Sequence, residues 1–293
     1  MSMDKQAVLM IAASEGNADM LYAVKMFVPV PFAYIAYQGT RTMIMSDLEI
    51  DRAREQAAAD EVLSLTSYQK RLQSRGMATP TLTDVVVEFL TEREITSVLV
   101  PNAFPVGYAD GLRAHGLELT VKEDPFFDER TIKTRSEVDA ISIASRHTES
   151  AIQAAIDTIS DATIKDGILV GPDGILTSEY IKRLINIHLL ERDCVAENTI
   201  VACGIQGCDP HNSGSGTLRS GEPIIMDVFP KDITTGYYAD ITRTVVKGVA
   251  SDALRRQYDT VLEGQQVAFD QLKDGADGQA IHRSIQSLFE EKG

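Results

Sequence analysis

The segment GEPIIMDVFPKDITTGYYADITRTVVKG, residues 221–248, decides how this chain is read. Two apolar, strand-like runs flank a loop rich in turn formers: Pro230, Lys231, Asp232 and Gly236. Asp227 closes the first run and Asp240 opens the second. The midpoint of their positions, 233.5, falls in the middle of the loop. A plain hairpin without a bulge therefore sets the two aspartates opposite each other on one face. Like charges so opposed repel by roughly 3 kcal/mol at ~5 Å and an effective dielectric of ~20. Flanking Ile225 and Phe229 add a desolvation cost. Arg243 lies three residues from Asp240 and points to the other face, and Thr242 and Thr244 share the aspartates' face but carry no charge. A divalent cation removes the conflict, because carboxylates are hard oxygen ligands. The alternative is that both aspartates sit in water or cap turns.

Outward from this ribbon the chain has two textures. The N-terminal part alternates strand and helix signals. AVLMIA (7–12) reads as a buried strand, PFAYIAY (31–37) as another with TRTMIMS after it, and SVLVPN and LELTVKED as two more. TLTDVVVEFLTERE opens a helix at Thr81 with Asp84 three residues on, and GYADGLRAHG reads as a short helix. This order predicts an α/β domain over residues 1–130. The periodicity breaks in EDPFFDERTIKTR, which places the boundary there. The second part, 131–293, predicts a long helix from Ser136 with Asp139 at its start and Gly167 past its end. A helix at 178–190, strands at TIVACG, EPIIMDVF and ADITRTVV, and helices near 252–273 and 279–292 follow.

With 293 residues, 44% hydrophobic and 24% charged, the chain can bury substantial cores. A net charge of −15 and no Lys/Arg run exclude a phosphate-tracking protein, so no nucleic-acid partner is expected. No stretch approaches the ~18–20 apolar residues of a membrane span, so no membrane association is expected. Cys194, Cys203 and Cys208 match no zinc spacing and suit a reducing, cytoplasmic compartment. Among the histidines, His188 falls on an apolar helix face and reads as core, His115 ends a helix, and His147 reads as surface.

IIMDVFP followed by TTGYYADITRT resembles the first metal motif of the aminopeptidase P, prolidase and methionine aminopeptidase group, whose catalytic domain is called pita bread. The resemblance implies that Asp227 and Asp240 are metal ligands for two divalent ions (Mn, Co or Zn). IVACGIQGCDPHNSGSG resembles the group's Gly-rich segment, which puts His211 on the catalytic histidine that contacts substrate. RTIKTRSEVDAISIA resembles the entry to the catalytic domain, and the preceding ~130 residues resemble a creatinase-like N-terminal domain. The implied fold is thus an α/β N-terminal creatinase-like domain followed by an α+β pita-bread domain. The implied activity is metal-dependent hydrolysis of peptide bonds preceding proline, with a proline-containing peptide as substrate and a homodimeric assembly. The group's later ligands, one His and two Glu, find no match among the 53 residues after Asp240. His282, Glu263, Glu290 and Glu291 fit no ligand motif. The pita-bread domain is therefore expected to be incomplete, roughly its first half. The chain by itself is expected to be inactive and to expose apolar surface. A metal-free creatinase-like amidinohydrolase and a non-catalytic binding module are the alternatives.

Overall fold

The computed structural model describes residues 6–293. The chain divides into two compact units, the first ending at Lys133 and the second beginning at Thr134.

The first unit runs β1 (Ala7–Ala12), α1 (Ala18–Val24), β2 (Phe32–Tyr37), β3 (Thr40–Met45), α2 (Ile50–Gln56), β4 (Glu61–Ser64), α3 (Leu65–Ser74), α4 (Leu82–Glu92), β5 (Ser97–Pro101), α5 (Val106–Ala114) and β6 (Glu118–Lys122). Its strands form one mixed sheet in the order β4-β3-β2-β1-β5-β6. β2 is antiparallel to both of its neighbours, while β1, β5 and β6 run parallel. Both faces of this sheet are covered. Leu9 and Ile11 of β1 join Val85, Phe89 and Leu112 in one core. Met10, on the opposite side of the same strand, joins Met20, Phe32, Met43 and Phe126 in another. This is the alternation of side chains along a strand used on both sides at once. The capping box read at the start of α4 is present: Thr81 and Asp84 exchange hydrogen bonds with each other's backbone N–H. Those bonds hold the Asp84 carboxyl below the usual carboxylate range, the Thr81 hydroxyl acting most strongly.

The second unit runs α6 (Arg135–Asp161), β7 (Thr163–Lys165), β8 (Ile168–Gly171), β9 (Gly174–Ile175), α7 (Ser178–Leu190), β10 (Cys194–Val195), β11 (Ile200–Cys203), β12 (Ile224–Val228), β13 (Lys231–Asp232), β14 (Ile241–Val245), α8 (Asp252–Gln271) and α9 (Gly278–Lys292). The long helix is capped two residues earlier than Ser136. Thr134 is its cap, in a capping box with Glu137. It also ends before Gly167. That glycine turns the hairpin of β7 and β8, strands of three and four residues, too short to leave a periodic signal in the sequence.

The sheet that matters has the order β11-β12-β14. Ile224, Met226 and Val228 point to its buried face, where Ile152, Ala155 and Ile159 of α6 and Ile181, Ile185 and Leu189 of α7 close the core. Ile225 and Asp227 point the other way. α8 and α9 pack against each other as a helical hairpin and leave Phe269 and Leu272 each 69% exposed.

Candidate metal centre

The β12–β14 ribbon does not have the register that the aspartate spacing implies. Asp227 pairs with Thr242, not with Asp240. The ladder continues past the strands in the same register. Ala239 N–H donates to Pro230 O (3.2 Å), Lys231 bridges Tyr238, and Asp232 N–H donates to Tyr237 O (2.9 Å). The ribbon is thus symmetric about the peptide bond joining Thr234 to Thr235, and its turn is residues 233–236.

The turn chemistry explains the offset. Asp232 Oδ1 accepts from Thr234 N–H (3.0 Å), Thr235 N–H (2.7 Å) and Thr235 Oγ1–H (2.9 Å). Gly236 takes φ 78°, a left-handed conformation that a side chain disfavours, and its N–H donates to Asp232 O (2.8 Å). β13 also pairs with β10, Cys194 opposite Asp232, which pins the turn from outside the ribbon.

With this register Asp240 lies two residues before Thr242. It shares a face with Asp227 as a diagonal neighbour, an arrangement that sets Cα atoms roughly 7–8 Å apart rather than ~5 Å. The side chains still meet. Desolvation first, then the charge of Asp227 and a hydrogen bond from protonated Asp240 to it, hold the Asp240 carboxyl above its usual range. Among the described residues no cation contributes to that balance. Thr242 Oγ1–H donates to Asp227 Oδ1 at 2.6 Å, fixing the orientation of that carboxylate. Asp227 is half-buried and Asp240 exposed, so the pair sits at an open surface.

His211 lies on the other flank of the sheet. Its segment runs beside β11, where Val201 N–H donates to Ser213 O (3.1 Å). Gly214 is required there, because a Cβ would sit 1.7 Å from Val201 O. The His211 ring is exposed, its backbone N–H donates to Asp209 Oδ1 (3.1 Å), and among the described residues no hydrogen bond joins the ring to either aspartate. The structure therefore brings Asp227 and Asp240 together, while among the described residues His211 shares no hydrogen bond with either.

Two histidine readings change. His188 is half-buried rather than core, with Nε2 2.8 Å from Ser150 Oγ. Its ring is held below the usual imidazole range by burial, then by Arg192. The core face of α7 belongs instead to Ile181, Ile185 and Leu189. His147 is half-buried, 3.6 Å from Cys194 Sγ. Burial, then Asp232 and Asp193, push the Cys194 thiol up, which disfavours its thiolate form.

A family model for metallopeptidase family M24 matches residues 139–293. The chain belongs to this family. The M24 match contains both aspartates and His211, and membership implies divalent metal. An Xaa-Pro dipeptidase of Pyrococcus horikoshii is 22% identical over 298 residues, spanning 99% of this chain and 75% of the relative. An X-Pro aminopeptidase from Thermotoga maritima superposes with a TM-score of 0.79 at 20% identity, covering 98% of this chain and 76% of that one. A prolidase from Pyrococcus furiosus does so with 0.76 at 18%, with the same coverage. The fold is that of these M24 structures. The two carboxylates suit a hard divalent cation by donor chemistry and by their mutual repulsion. Among the described residues, however, no three His, Cys, Asp or Glu side chains gather closely enough to hold a metal. No described helix is long and apolar enough to cross a membrane.

Proposed function

We propose that this M24 protein serves the hydrolysis of the peptide bond preceding proline, with Asp227 and Asp240 as two ligands of a divalent-metal site whose further ligands are not gathered among the described residues. The observation that supports this reading most directly is a pair of carboxylates meeting on an open sheet face, with no cation among the described residues offsetting their charge. The names of the relatives supply the substrate class.

In this reading Asp227 and Asp240 would help hold two divalent cations (Mn, Co or Zn), which would supply Lewis-acid chemistry when bound. The chain's own residues do the rest. Asp227 and Asp240 present oxygen donors on one face, and Thr242 holds Asp227 in one orientation. His211 hydrogen-bonds the substrate as catalytic partner. A proline after the scissile bond has no N–H and a fixed ring, so a shaped site can select it. The N-terminal unit, 1–130 by sequence pattern, serves as the creatinase-like domain of a cytoplasmic homodimer.

The test is hydrolysis of X-Pro dipeptides and longer X-Pro peptides with added manganese. Turnover that depends on metal and is lost in Asp227→Ala supports the reading. Turnover unchanged in Asp227→Ala overturns it.

A further inference from the structure

We infer that Asp232 is the positioning residue of the Asp227/Asp240 pair: its buried carboxylate locks the 233–236 turn and thereby the strand register that puts both carboxylates on one face. This rests on the metal reading above only for its functional consequence.

Three observations carry it. First, burial alternates strictly along this stretch, with Ile224, Met226, Val228, Pro230 and Asp232 inward and Ile225, Asp227, Phe229 and Lys231 less buried. Asp232 thus occupies a core-facing position, 6% exposed, where an apolar side chain is the rule. A carboxylate there is tolerated only if its oxygens are satisfied. Second, the turn itself supplies the donors: the Thr234 and Thr235 amides and the Thr235 hydroxyl all converge on Oδ1. Third, the residue is clamped on both sides of the backbone. Its N–H goes to Tyr237 O, its C=O accepts from Gly236, and the next amide, Ile233 N–H, donates to Asp193 O (2.9 Å). Tyr237, across the turn, donates its hydroxyl to Glu137 Oε1 (2.6 Å), and Glu137 Oε2 accepts from the cap of α6.

The consequence follows from the two-residue repeat of a strand. A turn one residue longer or shorter on one side slips β14 by one position and sends Asp240 to the face opposite Asp227. A two-residue slip restores the shared face but changes the offset, and it unpairs Thr242 from Asp227. Only the observed turn gives Asp227 both its Thr242 donor and its Asp240 neighbour. Asp232 acts at a distance from the carboxylates it places. It faces the other side of the ribbon and donates nothing to a ligand.

The experiment uses the full chain with Asp232→Ala, Asp232→Asn and Thr235→Val. Two quantities are read: the cross-strand nuclear Overhauser contact between residues 227 and 242, and the dissociation constant for Mn(II). Asparagine keeps an Oδ1 acceptor, so Asp232→Asn retains the contact and binds Mn(II) within about threefold of the parent. Asp232→Ala loses the contact and binds at least about tenfold more weakly, the range set by loss of an outer-shell partner. If Asp232→Ala does not fold, Thr235→Val, which removes one of three donors, gives the graded version: a weakened contact and an affinity loss of a few fold. A purely structural role would lower the melting temperature while the contact and the affinity of the folded protein stayed at parental values, and that result overturns the inference. Loss of affinity with the contact intact also overturns it, because Asp232 would then be a ligand. Asp227→Ala run in parallel separates the two ideas. Unchanged Mn(II) affinity there sinks the metal reading, while the 227–242 contact still judges Asp232.

Discussion

The two sheets of this chain use the same alternation of side chains to opposite ends. In the first unit β1, β2 and β3 are buried over most of their length, and a separate apolar core covers each face. In the second, β12 alternates between buried and half-buried residues and β14 is open along its middle. A sheet covered on both sides has no room for a carboxylate pair, since each charge would need a partner or a lost proton. A sheet covered on one side can keep Met226 and Val228 in the core and still present Asp227, Thr242 and Asp240 to solvent and ligands. The first arrangement serves packing alone, and the open face of the second leaves room for the metal chemistry proposed above.

The sharpest way to break this contrast is Phe89→Ala. Phe89 is 1% exposed between sheet and helices of the first unit, and its loss is expected to cost about 3–5 kcal/mol in denaturant unfolding. A cost below 1 kcal/mol would mean that the doubly covered sheet is not tightly packed. On the open face the expected signature is reversed. Asp227→Ala should leave the melting temperature of metal-free protein near parental while Mn(II) affinity falls by more than about 100-fold, beyond the loss expected for an outer-shell partner. A smaller step is Thr242→Val, which keeps the β-branched shape but removes the 2.6 Å donor to Asp227. Calorimetric titration should show affinity weakened about 10-fold.

The smallest effect expected is electrostatic. The carboxyl of Asp240 is raised in the folded chain, so its protonated form favours folding. That contribution is fully present below the ordinary carboxylate pKa of about 3.9 and is lost as pH rises through the elevated value. Asp240→Asn should therefore make the metal-free chain slightly more stable than the parent at neutral pH, with the difference closing toward pH 3. Because Asp240 is exposed, solvent screening keeps the gain small. A loss of stability at pH 7 would contradict the placement of the two carboxylates.

Legibility in the sequence followed the range of the interaction. Thr81 and Asp84 announced the start of α4 because a capping box is complete within four residues. The same rule misplaced the start of α6, since Ser136/Asp139 and Thr134/Glu137 both fit the pattern and only one pair forms. β10 and β13, of two residues each, left no periodic signal, and their pairing joins segments almost forty residues apart. Asp232 read as one turn former among several. Its role is visible only once its oxygen is seen to collect three donors.

Sequence alone determined the chemistry available: apolar runs ending in Asp227 and opening at Asp240, a glycine where the turn needs a positive φ, and enough motif to assign the family. Tertiary structure decided the register. The turn that sets it is chosen by hydrogen bonds to a buried carboxylate and by a strand pairing from elsewhere in the chain, and residue spacing carries neither. Two aspartates thirteen positions apart can stand opposite, diagonal or back to back. Packing and turn geometry, acting through Asp232, made them diagonal on the open face.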